Sequence, residues 1–161
     1  MQVRIERRSL PALALACVFA AGCSSEPSGP VVEFQVIEEV QFAASLGIDL
    51  TEYERLSSSG IYIKDLIVGQ GRQLIPQDLA TIEYTLWLAD GRKIFEGRRT
   101  WQLGNFEQPL GLEYGSLFMR VGGVRRMIVP PAIGWAEEGS PDGLVPPGAV
   151  LVFEVELVDV R

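Results

Sequence analysis

From Ile61 onward the chain alternates apolar and polar positions at the period of two that marks half-buried strands. Ala80–Leu88 places Ile82, Tyr84, Leu86 and Leu88 on one side and Thr81, Glu83, Thr85 and Trp87 on the other. Asp90-Gly91 follows at once, a strong hairpin signal, so Arg92–Glu96 is the expected returning strand. Ile61–Val68 is β-branched and aromatic and closes on Gly69-Gln70-Gly71. Trp101–Gly104 reads as a further short strand, and Val124–Val129 as another that stops at Pro130-Pro131. In Ala149–Val160, Leu151, Phe153, Val155 and Leu157 point inward while Glu154 and Glu156 point outward, which implies a sheet with one wet face.

Helical spacing is scarce. Gly111–Met119 is the candidate, with Leu112, Leu117 and Phe118 as its apolar side and Gly122-Gly123 as its stop. Residues 131–148 are broken by Pro and Gly and read as one long loop, the kind of segment that carries function on a small domain. Residues 31–59 mix short apolar groups with acids. Periodicity leaves strand and helix both open there, and with no chemical motif the segment reads as structural lead-in. The pattern predicts an α+β domain: an antiparallel half-barrel sheet of about five strands wrapped over one short helix.

The N-terminus has a different logic. Arg4, Arg7 and Arg8 precede an apolar run, Leu10–Gly22, which is shorter than the ~20 residues a spanning helix needs. That arrangement fits a secretory signal. Ala20-Ala21-Gly22-Cys23-Ser24-Ser25 resembles a bacterial lipobox, with Ala20 where Leu is usual; a plain signal peptide cut after Ala or Gly is the other reading. The lipobox implies acylation of Cys23, and Ser24 after it resembles outer-membrane sorting. Residues 1–22 are then a lipoprotein-type signal peptide, 23–59 a tether (Ser24–Pro30) and lead-in, and 60–161 the domain that carries activity. The expected location is the cell envelope, lipid-anchored to the outer membrane and facing the periplasm.

Composition removes most chemistry. Among 161 residues there is no His, so Ser-His-Asp triads, Cys-His dyads and His-bearing zinc sites are excluded. The formal net charge is −7, which argues against a nucleic-acid partner. The two Cys, at 17 and 23, cannot staple a domain or hold zinc. No cofactor or metal is expected. Glu137-Glu138 and the Glu154/Glu156 pair invite a two-carboxylate glycosidase reading, but they lie on a loop and on a wet face and read better as solvated charge. Arg125-Arg126 reads as paired with neighbouring acids, with a phosphate site as the alternative. The inward aromatics Tyr84, Phe95 and Phe153, with Leu112, Trp135, Leu144 and Val145, form either a plain core or an apolar ligand pocket. Composition leaves both open.

Four stretches resemble the FKBP family of peptidyl-prolyl cis-trans isomerases: GIYIKDLIVGQG, EYTLWLADGRKIFEG, GLEYGSLFMRVGGVRRMIVPPAIGW and LVPPGAVLVFEVELVDV. The resemblance covers about residues 60–161 in the family's own order. It implies a half-barrel crossed by a helix and a pocket of matching positions. Tyr84, Phe95 and Phe153 match pocket aromatics, and Glu96 stands at the acid after Phe95, one methylene longer than the usual Asp. Leu144 and Val145 match the aliphatic pair before two prolines. Trp135 replaces a tyrosine whose hydroxyl binds the substrate carbonyl, and Leu112 stands where many members carry a floor tryptophan. Gln108-Pro109 replaces a Val-Ile pair whose second N–H is a ligand donor. The segment between Glu96 and Trp101 is short, so the family's pocket arginine would fall to Arg98 or Arg99.

The resemblance implies catalysis of X–Pro bond rotation during the folding of exported proteins, with Tyr84, Phe95, Glu96, Trp135 and Phe153 catalytic and Pro109, Leu112, Leu144 and Val145 binding substrate. A non-catalytic, peptide-binding or chaperone role on the same fold is the alternative. Expected partners are proline-containing chains, the membrane through the anchor, and the macrolides tacrolimus or rapamycin, bound weakly.

Overall fold

In the computed structural model the described residues are 31–105 and 109–161. The signal peptide, Cys23, the tether and Gln108 lie outside them. Among the described residues, no helix is long and apolar enough to cross a membrane.

The strands are β1 (Glu54–Arg55), β2 (Tyr62–Ile67), β3 (Leu79–Leu88), β4 (Lys93–Gln102), β5 (Val124–Val129) and β6 (Leu151–Val160). They form one six-stranded sheet in the order β1-β2-β5-β6-β3-β4, and each pairing is antiparallel. The sixth strand is β1, which the lead-in contributes through the turn Leu56–Gly60.

β3 and β4 meet at the Asp90-Gly91 turn. Gly91 adopts φ +86°, where a side chain would be strained, and the Asp90 carboxylate accepts the Arg92 N–H at 2.9 Å. Arg92–Glu96 and Trp101–Gly104 do not form two strands; both fall within the continuous β4 or at its ends. The register shifts once along it: Phe95 faces Leu86 and Lys93 faces Trp87, leaving Ile94 as an extra residue. This bulge turns Ile94 and Phe95 together onto the core side.

The expected helix is shorter than its pattern. α1 spans Leu110–Ser116, because Leu117 leaves the helical region and Phe118 takes φ +64°. Gly111 and Gly115 set its distance from the sheet. A Cβ at Gly111 would fall 2.1 Å from Val129 Cγ1, and one at Gly115 2.2 Å from Met127 Sδ. The helix therefore lies flush on β5 along a glycine edge. Arg125, itself buried, ties its far end: Nη1 donates to the carbonyls of Gly115 (2.9 Å) and Leu117 (3.2 Å), while Asp65 receives the rest of the guanidinium. Arg126 binds Glu154. Both arginines are committed to partners, as the ion-pair reading expects.

Ile82, Leu86, Trp101, Leu112, Met127, Phe153 and Val155 fill the space between α1 and the concave face. The other face departs from expectation at one end. Ile37, Val40, Phe42, Ile48 and Leu50 of the lead-in pack there on Ile128 and Val150, and the outward-parity Val152 is 1% exposed. Hydrogen bonds fix this wrap: Gln35 N–H to Gly148 O (2.9 Å), Val150 N–H to Gln35 Oε1 (2.7 Å), Ala43 N–H to Ala89 O (2.8 Å) and Arg126 Nη1 to Leu46 O (2.9 Å). Residues 31–59 are part of the compact unit Val31–Arg161 rather than a lead-in ahead of it.

Candidate functional site

Strand parity sends Tyr84 of β3 and Phe95 of β4 to the concave face, where they stack with centroids 4.7 Å apart and planes at 29°. Phe153 of β6 lies beneath, its centroid 6.0 Å from that of Tyr84. The pair depends on a residue with no side chain. Gly97 stands opposite Tyr84 in register, and a Cβ there would come within 3.1 Å of the Phe95 ring. Tyr84, Leu86, Ile94 and Phe95 form the sheet side of an open cavity of about 570 Å³. Pro109, which leads into α1, also lines it.

Residues 131–148 complete the cavity with Trp135, Ser140, Pro141, Asp142 and Leu144. The segment holds its shape through its own hydrogen bonds. Ala136 N–H reaches Pro131 O (2.9 Å), Gly139 N–H reaches Trp135 O (3.0 Å), and Ser140 and Val145 exchange bonds of 3.0 and 2.8 Å through the Ser140 N–H and Oγ. Ala136, beside Trp135, sits at φ +41°, a region disfavoured for a residue with a Cβ. The disfavoured conformation at Ala136 turns the chain immediately after Trp135.

Charge enters the cavity at two points. Arg99 lies over Phe95, its Cζ 4.9 Å from the ring centroid. Asp142 accepts the Ser140 hydroxyl and, at 3.0 Å, the Leu144 N–H, which together hold its carboxyl below the usual range. Burial pushes the Tyr84 phenol above its ordinary value, with the Arg99 guanidinium acting against it. An open cavity with an aromatic wall on the concave face, bounded by β3, β4, Pro109 and a long structured loop, has the form of a small-ligand site.

The family model described as FKBP-type peptidyl-prolyl cis-trans isomerase matches residues 71–158. The chain belongs to this family. It is 36% identical over 106 residues to the FK506-binding protein of Neisseria meningitidis serogroup B, covering 63% of this chain and 96% of that one. It is 29% identical over 145 residues to peptidyl-prolyl cis-trans isomerase FKBP15-3 of Arabidopsis thaliana, covering 86% of this chain and 96% of the relative. It spans only 26% of the 46 kDa FK506-binding nuclear protein of Spodoptera frugiperda, at 33% identity. The solved structure of AtFKBP13 matches with a TM-score of 0.62 at 25% identity, over 68% of this chain and 99% of that one. FkpA from Escherichia coli shares the fold with a TM-score of 0.63 at 23% identity, over 73% and 55%.

In this FKBP-type domain all but one of the candidate pocket residues fall into two groups. Tyr84, Phe95, Trp135, Pro109 and Leu144 line the cavity. Phe153, Leu112 and Val145 are buried behind it, at 0%, 0% and 2% exposure, and support the wall without forming it. Glu96 belongs to neither group. It stands on the opposite face of β4 from Phe95, pairs with Lys93 at 2.6 Å, and shares an outer-face hollow with Glu83, Arg98 and Glu156. Glu96 follows Phe95 in regular register opposite Thr85, so the alternation that sends Phe95 inward sends Glu96 outward, away from the catalytic position the resemblance implies. The two arginines also separate: Arg98 binds Glu83 at 2.5 Å on the outer face, and Arg99 alone reaches the cavity.

Ile94, Ser140 and Asp142 are wall residues that alternation and motif reading passed over. Ile94 was detectable only through the bulge, since a plain alternating strand sends it outward when Phe95 points in. The Ser140-Pro141-Asp142-Gly143 turn was readable as a turn, but which side it shows to Trp135 depends on hydrogen bonds across the whole loop.

Proposed function

We propose that this chain accelerates rotation about X–Pro bonds of exported polypeptides, working from a lipid anchor at Cys23 on the outer membrane. The observation that carries the reading is the open cavity walled by the Tyr84–Phe95 stack and flanked by Trp135 and Leu144. Amide resonance sets the rotation barrier at ~18–20 kcal/mol. The half-twisted amide has lost that resonance and with it part of its charge separation, so it depends less on water than either planar form. An aromatic wall favours it over both ground states, which is the condition for lowering the barrier. A differential of about 4 kcal/mol gives roughly a thousandfold acceleration, with no covalent step. Tyr84, Phe95 and Trp135 hold the prolyl ring, Phe153 backs them, and the Trp135 indole N–H is the donor for the substrate carbonyl.

The competing reading is a peptide-binding module without turnover. Glu96 facing away from Tyr84 and the missing N–H of Pro109 favour it. A protease-free isomerisation assay on a Leu-Pro peptide with the purified chain separates the two. Acceleration at substoichiometric protein supports catalysis; binding of the peptide without acceleration supports the module.

The anchor reading draws on Arg4, Arg7, Arg8, the Leu10–Gly22 run and Cys23. Each buried acyl CH₂ contributes about 0.8 kcal/mol, and one chain alone binds only marginally, so the several chains of a lipoprotein are needed for retention. Cys23→Ala should release the protein from the membrane fraction or leave its leader uncleaved. Unchanged acylation and fractionation would exclude the lipobox.

A further inference from the structure

We propose that Arg99 makes the cavity selective for prolines flanked by an acidic residue, an inference that rests on the prolyl-binding reading above. β4 carries Lys93, Arg98 and Arg99, and their surroundings differ. Lys93 is neutralised by Glu96 and Arg98 by Glu83, both away from the cavity. Among the described residues Arg99 forms no ion pair. Its guanidinium rests instead on the Phe95 ring at 4.9 Å and lines the cavity.

A cation–π contact holds a guanidinium in place without cancelling its charge, and of its five N–H donors the neighbouring Tyr84 phenol engages at most one. Those donors match a carboxylate in the two-point geometry that arginine forms best. Phe95 is also the ring on which Tyr84 stacks, so a proline held there has its chain neighbours about 3.8 Å away per residue, within reach of Arg99. The other charge facing the cavity, Asp142, sits on the loop wall and repels an acid on that side. The two charges give the cavity a polarity that directs an acidic flank toward β4. Because the chain carries a net charge of −7, its overall field opposes acidic peptides. A preference for them therefore has to come from a local cation.

The experiment compares peptides with Glu, Gln or Leu directly before or after the proline, using the full chain at low salt. Isomerisation efficiency is measured by a protease-free assay and affinity by calorimetry on the same set. At one of the two positions Glu should exceed Gln by about two- to fivefold, the range of an exposed ion pair. The ratio should fall toward one in Arg99→Gln and at ~1 M salt, where the screening length is about 3 Å. It should persist in Arg98→Gln, which removes the same charge from the adjacent residue, and hold or rise in Asp142→Asn. A ratio of one or less at both positions, or an unchanged ratio in Arg99→Gln, overturns the proposal. An equal loss in Arg98→Gln overturns it too, since that would trace the effect to net charge. Absence of turnover on the Leu peptide would count against catalysis alone, and the calorimetric Glu/Gln ratio would still decide the role of Arg99.

Discussion

Tyr84 pairs in register with Gly97, and the space left by the absent side chain is where the Phe95 ring lies. A β-branched residue at 97 suits a strand, yet its Cβ would press on Phe95 from 3.1 Å. Gly97→Val should therefore lower kcat/KM by about tenfold or more by displacing the ring, since sub-ångström to 1 Å misplacements cost up to about 10² in rate. The thermal midpoint should change little. A variant with full activity would show that the Tyr84–Phe95 stack is not the binding wall.

Phe153 tests the layer behind that wall. It is fully buried and its ring centroid lies 6.0 Å from that of Tyr84. Phe153→Ala should cost ~3–5 kcal/mol of stability, the usual range for a buried aromatic. Activity should fall with it, because Tyr84 loses its support. Wild-type melting behaviour would contradict the packing described for β6.

The wrap of residues 31–53 on the outer face predicts that the domain does not end where the strand pattern begins. Ile37 is 4% exposed on Ile128 and Val150. Ile37→Ala should cost about 2–5 kcal/mol by denaturant unfolding, although it lies outside the cavity and should leave kcat/KM per folded molecule unchanged. An undetectable loss would mean that the segment is a removable appendage.

How much of this was legible follows from the kind of signal each part leaves. β3 and β6 were readable because one buried face against one polar face writes a period of two into the chain. The lead-in was not, because a segment that covers a sheet with isolated residues such as Ile37, Val40 and Phe42 has no period at all. The helix boundary was misplaced since Leu117 and Phe118 are apolar yet lie past the last turn, with Phe118 at φ +64°. Among site residues, Tyr84 and Phe95 carried both a strand pattern and a family position, while Trp135, on the long loop, carried the family position alone. Glu96 carried the family position, yet plain alternation from an inward Phe95 already sends it to the outer face opposite Thr85; the one-residue bulge, which only the pairing of β3 with β4 reveals, decides Ile94 instead.

The pH dependence follows from two groups in the cavity. Asp142 is held below the usual carboxylate range, so its charge is complete at neutrality and is lost only as pH falls through that lowered value. Tyr84 is raised by burial, so its contribution to stability is complete below the ordinary phenol value of about 10 and is lost as pH rises from there through the folded value. With no His in the chain, kcat/KM should be flat from about pH 6 to 9. A bell-shaped profile centred near 7 would require a titrating group that this mechanism does not contain.

Macrolide inhibitors probe the cavity differently from substrates. Pro109 lines it with no N–H to offer, and its own carbonyl is already engaged by Leu112 N–H at 2.8 Å. A drug carbonyl that takes a backbone N–H from other members at this position is left without a donor here, which costs ~1–3 kcal/mol, or about five- to 150-fold in affinity. Trp135 adds a second mismatch, because an indole N–H reaches a different point from a phenolic hydroxyl. A short prolyl substrate makes fewer of these contacts and should lose less. Tacrolimus or rapamycin should therefore bind far more weakly than to a family member with the usual residues, while Leu-Pro turnover stays measurable. Pro109→Ile should recover part of the loss by restoring the N–H. Leu112→Trp should not add to it: Leu112 is fully buried in the core, where a larger ring would overpack rather than reach the cavity. Calorimetry on the parent and both variants checks each step, and nanomolar binding by the parent chain would remove the role given to Pro109.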